Sequence, residues 1–335
     1  MLTLEIALFV LGSLNIISKM VVSKGKEEEN VRTREENMRK NFLSVLVMCV
    51  LVLVLTACGD DGSKGIFYEV EGGENQVYLF GSVHMGNQAM YPLDSNVEDA
   101  FDQSDVLAME LDMVNVSEFE LASKINELAV FNDGRSMTDI VPKDTFLRLH
   151  EVVAPFGITQ EVLNQFQPWY GTMLLSEVIA QQSNVSVEYG VETYFMEQAE
   201  DMEVIGLETV ESQLSPFNLL SDESQAIYLE KSLDELDESE DELDELIRYW
   251  KEGDVEAFAQ IRHEMMSDYF TDSHKEYQTA FLDGRDEKMA GEIADLLESE
   301  SGNTYFVVVG SLHLAGENSI VEQLIEKGYT VEIAN

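Results

Sequence analysis

Short apolar runs of β type alternate with longer stretches of helical spacing over residues 66–335. Six runs have the length, β-branched content and turn boundaries of strands: 65–71, 76–80, 106–111, 203–207, 304–309 and 330–333. Between them, apolar residues recur at helical spacing over 97–103, 117–129, 144–153, 160–166, 169–182 and 191–202. Further helices are expected over 221–253, 255–270, 285–299 and 319–327. Strands at both ends with mostly helices between them predict an α/β fold, with α+β as the alternative: a mixed sheet wrapped by helices. No linker rich in Pro, Gly or Ser divides 66–335, so one domain with an inserted or appended helical half is expected.

Within this pattern one phrase occurs twice, 229 residues apart. Val77-Tyr78-Leu79-Phe80 runs into Gly81-Ser82-Val83-His84, and Phe306-Val307-Val308-Val309 runs into Gly310-Ser311-Leu312-His313. Each is an apolar strand closed by Gly-Ser, with a histidine two residues on. A single copy reads as a common strand-exit turn. Two copies, holding two of the five histidines in the chain, point to one shared site with two imidazoles.

The N-terminal region has a different character. Met38-Arg39-Lys40-Asn41 is basic, Phe42 to Leu55 is apolar apart from Ser44, and Leu55-Thr56-Ala57-Cys58 matches a lipobox. That order is the order of a secretory signal. The 14-residue apolar core is short for a membrane-spanning helix. Residues 38–58 are therefore expected to be a lipoprotein signal peptide, with Cys58 lipidated, 59–65 a tether, and the domain held at the extracytoplasmic face of the cell envelope. Residues 1–37 precede this signal and read as an extension from an upstream start codon. The only cysteines are Cys49 and Cys58, which excludes disulfides, cysteine metal sites and cysteine catalysis from 66–335. The chain has 65 Asp and Glu against 20 Lys and Arg, a net charge of −45. Such a surface repels nucleic acid and anionic headgroups, so contact with the membrane is expected through the lipid anchor alone.

Two more strand-like runs end on a carboxylate. Glu110 closes Val106-Leu107-Ala108-Met109, and Glu208 closes Val204-Ile205-Gly206-Leu207. Ligands of α/β sheets bind outside the carboxyl ends of the strands. Two imidazoles and two carboxylates converging there suit a divalent metal of intermediate hardness. They suit equally a metal-free site in which a carboxylate orients a histidine base. Neighbouring strands in sequence usually neighbour in space, which would put Glu110 nearest His84. Arginine is scarce after Cys58, with Arg135, Arg148, Arg248, Arg262 and Arg285. Arg285 opens a helix, where its charge opposes the helix dipole, so a partner is expected to hold it. His263-Glu264-Met265-Met266-Ser267 lacks the second histidine of a zincin helix. Ser82 and Ser311 lack the glycines of a nucleophile elbow and are read as substrate contacts. The carboxylates of 234–245 read as the solvated face of an amphipathic helix. They do not form an EF-hand, since Glu242 and Arg248 stand where Gly and Glu are required.

The segments Gly81-Ser82-Val83-His84, Glu110-Leu111-Asp112, Gly190-Val191-Glu192, Leu207-Glu208-Thr209, Gly284-Arg285-Asp286-Glu287-Lys288-Met289-Ala290 and Gly310-Ser311-Leu312-His313 resemble, in order and spacing, the TraB/PrgY/GumN family, whose animal relatives include the Tiki proteases. Asp286 departs from the Asn usual after the Arg. The resemblance implies a fold related to the erythromycin-esterase and ChaN-like group. It also implies a metal-dependent peptidase using Mn, Co or Zn, acting on peptides or another small substrate. On that footing His84, His313 and Glu110 are the expected metal ligands, and Glu208 is expected to be the base or to orient a ligand histidine. Arg285 is expected to hold a substrate carboxylate or the developing oxyanion. The alternatives are a protein that sequesters a peptide or haem without turnover, and a metal-free esterase.

Overall fold

The computed structural model describes residues 62–236, 239–267, 275–276 and 278–334. The expected signal peptide with Cys58, and the expected N-terminal extension, lie outside the described residues. The strands are β1 (Ile66–Glu71), β2 (Gln76–Ser82), β3 (Val106–Met109), β4 (Glu203–Gly206), β5 (Thr304–Gly310) and β6 (Thr330–Ile333). They form one mixed sheet in the order β4-β3-β5-β2-β1-β6. The four strands β4, β3, β5 and β2 are parallel, while β1 runs antiparallel to β2 and to β6. All six strands expected from the sequence are present, and the α/β reading holds.

The helices are α1 (Ser95–Asp102), α2 (Glu118–Ala129), α3 (Lys143–Val153), α4 (Gln160–Leu163), α5 (Pro168–Gln182), α6 (Val191–Gln198) and α7 (Val210–Leu219). They continue with α8 (Asp222–Asp234), α9 (Ser239–Glu252), α10 (Val255–Ser267), α11 (Gly284–Glu298), α12 (Ser311–Leu314) and α13 (Ile320–Lys327). A π-helical turn, Thr279–Asp283, leads into α11. Among the described residues no helix is long and apolar enough to cross a membrane.

Strand β3 is buried throughout and β5 nearly so, as expected of parallel strands covered on both faces. The core is aromatic. Phe80 sits 5.5 Å from Phe195, 5.8 Å from Trp250 and 6.0 Å from Phe306, measured between ring centroids. Trp250 arrives from α9 and donates its indole N–H to the Gly81 carbonyl at 2.7 Å, fixing a helix to the end of β2. A second, smaller apolar core among the helices includes Met137, Phe146, Leu149, Leu163, Leu175 and Leu229.

Three local expectations differ from what the chain adopts. The helix expected over 221–253 is two helices, α8 and α9. Asp234 and Glu235 gather carboxylates at the end of α8, which the helix dipole disfavours, whereas acids near the start of α9 are favoured. Along α9, Leu243, Leu246, Ile247 and Trp250 are buried while Asp241, Asp244 and Glu245 are exposed, so its acidic face is solvated. Helix α7 is not among the expected helices, and it carries Pro216, a residue without an amide hydrogen. It forms behind a cap in which Thr209 Oγ1 accepts from Ser212 N at 3.1 Å. Lastly, Gly62–Gly65, expected as tether, is seated on the domain: Ser63 N donates to Pro92 O and Lys64 N to Lys251 O, each at 3.0 Å.

Trp250→Phe should lower stability by about 1–3 kcal/mol, because the buried Gly81 carbonyl loses its donor. Urea unfolding followed by circular dichroism measures it.

Candidate active site

The four parallel strands deliver one expected site residue each, all at the same edge of the sheet. His84 follows β2, Glu110 follows β3, Glu208 follows β4 and His313 follows β5. Ser82 of β2 is paired with Gly310 of β5, so the two copies of the repeated phrase leave the sheet side by side. The strand order corrects one expectation. β5 lies between β2 and β3, so Glu110 neighbours the histidine of the second copy: its Oε1 is 3.9 Å from His313 Nε2.

The copies differ beyond the strand. Val83 and His84 continue in a loop, whereas Ser311–Leu314 coil into α12. Each imidazole has its Nδ1 against a carboxylate from a helix start. His84 Nδ1 is 2.6 Å from Glu192 Oε1, on the first turn of α6. His313 Nδ1 is 2.5 Å from Asp286 Oδ1, on the first turn of α11. Gly190 permits the first of these contacts, because a Cβ there would come within 2.3 Å of the His84 carbonyl. A carboxylate on Nδ1 fixes which ring nitrogen carries the proton and aims Nε2 outward. Glu192 and Asp286 are therefore candidate positioning residues, to which the sequence alone assigned no role. Both lay inside the motifs that carry the family resemblance, but nothing in linear spacing says which carboxylate meets which ring.

Glu110 and Glu208 stand next to each other, with Glu208 N donating to Glu110 O at 2.8 Å. Their side chains are 7 % and 2 % exposed, so two like charges share a dry environment. Arg285 resolves the conflict. Its Nη2 donates to Glu110 Oε2 at 2.6 Å and also to Glu208 Oε2. Its Nε lies 3.2 and 3.1 Å from the two Glu208 oxygens. Its Nη1 lies 3.3 Å from His313 Nε2, which can accept there if Nδ1–H donates to Asp286. Glu110 also accepts from Gly310 N at 2.7 Å and from Gln213 Nε2 at 3.1 Å. Burial pushes the Glu110 carboxyl up, but Arg285, His313, His84 and the Gly310 amide together outweigh it and lower it to about 2. Burial pulls Arg285 down, and the two carboxylates more than reverse that, so its guanidinium stays charged.

Arg285 is thus held by carboxylates, as its place at a helix start suggested. Ser82 and Ser311 are both buried. Ser82 Oγ donates to Glu192 Oε1 at 2.5 Å and Ser311 Oγ to Ser82 O at 2.9 Å, so both hydroxyls serve the framework.

The donors suit a divalent metal in kind. Both imidazoles have Nδ1 braced by a carboxylate, the arrangement that orients ligating histidines, and Glu110 supplies oxygen. Their present spacing is set by Arg285. Among the described residues no three His, Cys, Asp or Glu side chains are grouped to enclose an ion. Enclosing an ion there would therefore need these side chains to draw closer together.

The family profile described as TraB/PrgY/gumN family matches residues 66–333, and the chain belongs to that family. An uncharacterised protein of Treponema pallidum (strain Nichols) is 20% identical over 299 residues, covering 83% of this chain and 89% of its own. The metalloprotease TIKI1 of Danio rerio is 24% identical over 307 residues, which are 76% of this chain but 60% of that protein. The uncharacterised protein YbaP of Escherichia coli (strain K12) is 22% identical over 262 residues, 75% of this chain and 89% of YbaP. No solved structure matches the chain.

Two predictions follow from this cluster. Arg285→Met leaves two buried carboxylates without their cation and should cost about 3–5 kcal/mol, measured by urea unfolding. The lowered Glu110 stabilises the fold fully above its ordinary value of 4.5, and that contribution is lost as pH falls from 4.5 toward about 2. The urea midpoint should fall across that window, and Glu110→Gln should flatten the fall.

Proposed function

We propose that this member of the TraB/PrgY/gumN family is a divalent-metal-dependent hydrolase that cuts peptide bonds at the C-terminal edge of its parallel strands. The observation that carries this reading is the pair of braced imidazoles, Glu192–His84 and Asp286–His313, flanking the buried Glu110–Arg285–Glu208 cluster. Charge supports the metal. Glu110, Glu208, Glu192, Asp286 and Asp283 are set against only Arg285 and Arg262 here, which favours a further cation. The named metalloprotease among the relatives supports both the metal and the peptide bond.

In this reading His84 and His313, through Nε2, and Glu110 would hold the ion. Bound there, Mn, Co or Zn would polarise a carbonyl and lower the pKa of its water. Glu192 and Asp286 keep the two rings aimed. Glu208 accepts the proton of the attacking water. Arg285, on releasing Glu110, presents its charge to the developing oxyanion or to a substrate carboxylate. The lipobox supports an envelope protein anchored through Cys58 on the extracytoplasmic face, where peptides from outside the cytoplasm would reach it.

The test is peptide cleavage by the purified protein, read by mass spectrometry, with metal content measured in parallel. Chelation should abolish cleavage and Mn, Co or Zn restore it. Glu110→Gln should lose metal and activity together, since an amide is a poorer ligand than a carboxylate. Glu208→Gln should keep the metal and lose roughly 10²-fold or more in rate, as expected for a general base. Full turnover by metal-free protein would replace this reading with metal-free ester or amide hydrolysis. Depletion of a peptide or haem without products would replace it with a sequestering protein. For the anchor, mass spectrometry of membrane-extracted protein should find diacylglyceryl-Cys58, and Cys58→Ala should release the protein. A soluble product beginning at Met1 would exclude anchoring.

A further inference from the structure

Arg262 has no part in the mechanism above, yet its side chain is 1 % exposed and points at the second histidine motif. It comes from α10. Its Nη1 lies 2.7 Å from Asp286 Oδ2 and donates to the Leu312 carbonyl at 2.7 Å, while its Nη2 donates to Asp283 Oδ1 at 3.2 Å. The contact with Asp286 is an ion pair by distance rather than an aligned hydrogen bond, since Asp286 Oδ2 has no hydrogen-bond donor. Gly316, at φ +83°, opens the space: a Cβ there would sit 3.3 Å from Arg262 Cδ. One guanidinium thus ties three parts of the chain around His313: the carboxylate on its ring, the carbonyl before it and the turn entering α11.

Asp286 is fully buried. A dehydrated carboxylate without a cation is costly enough to swing away toward water or another donor. Swung away, it would stop accepting from His313 Nδ1. We propose that Arg262 is a positioning residue: by neutralising Asp286 and gripping Leu312 O, it keeps His313 in its Nδ1–H form with Nε2 aimed at Glu110 and Arg285. The consequence for catalysis rests on His313 belonging to the reacting site, as in the function proposed above. The positioning itself does not.

The test therefore reads the ring rather than turnover. With five histidines in the chain, ¹⁵N-labelled imidazoles can be resolved by long-range proton–nitrogen correlation, and His313 assigned by its loss in His313→Gln. The full chain should show His313 as a single Nδ1–H form. Arg262→Met should melt roughly 10 °C lower, as for a broken buried ion pair, and His313 should lose that single form. Arg262→Lys, which keeps the charge, should retain it. Arg262→Met combined with Asp286→Asn should recover at least half the loss in melting temperature and restore the Nδ1–H form, because an amide oxygen accepts the same bond without needing a cation. An unchanged His313 signal in folded Arg262→Met overturns the proposal. So does a double variant that melts no higher than the single one. Should Arg262→Met not fold, the double variant decides, and its failure to fold overturns the proposal. Absence of peptide cleavage would count against the proposed function while leaving these ring measurements to stand alone.

Discussion

Everything at the C-terminal edge of this sheet depends on one guanidinium shared between two carboxylates. Glu110 and Glu208 arrive on adjacent strands and are buried together, an arrangement that two like charges cannot hold alone. Removing three ions from water costs several kcal/mol each, and the short, multiply bonded contacts of Arg285 must recover that cost. Because they do, α11 is fixed over the ends of β3 and β4. Asp286, the next residue, is carried to His313 by the same helix start. The cation that settles the carboxylates therefore also sets the position of the second imidazole.

The repeated phrase gives two histidines whose surroundings have diverged. In the first copy the chain turns into a loop after β2, and the His84 and Glu192 side chains are 19 % and 23 % exposed. In the second the chain coils at once, and the His313 and Asp286 side chains are 8 % and 0 % exposed. Water reaches one pair and hardly the other. The buried pair carries its own counter-ion in Arg262, and the exposed pair is braced by the Ser82 hydroxyl. An ion or substrate entering the crevice would thus meet a solvated ring on one side and a rigid ring on the other. This asymmetry suits a site that admits a ligand from solvent and must hold its far wall still.

Burial also explains why Arg285 and Arg262 differ from the other arginines. Arg135, Arg148 and Arg248 make ion pairs with side chains 37–50 % exposed, worth little beside solvent. Arg285 and Arg262 are buried among carboxylates, where losing one partner strands the others. In a chain with net charge −45, these two cations are placed where anionic side chains would otherwise open the fold.

The sequence alone determined the parts that follow from local pattern. Apolar runs of strand length gave all six strands, and Gly-Ser closing two of them put His84 and His313 at strand ends. Glu110 and Glu208 ended their runs in the same way, and the rule that α/β sites lie beyond strand C-termini gathered all four at one edge. The scarcity of arginine and the position of Arg285 at a helix start pointed to a partner, either a site carboxylate or a substrate. Tertiary structure decided what local pattern cannot carry. The crossovers placed β5 between β2 and β3, so Glu110 stands beside His313. The pairing of Glu192 and Asp286 with the rings depends on where α6 and α11 begin in space, and Arg262 reaches its partners from a helix 50 residues away from Leu312. Periodicity reports which face of an element is buried. Which charged groups share that burial is fixed only when the elements pack, because the cost of an unpaired charge arises from the surroundings that packing creates.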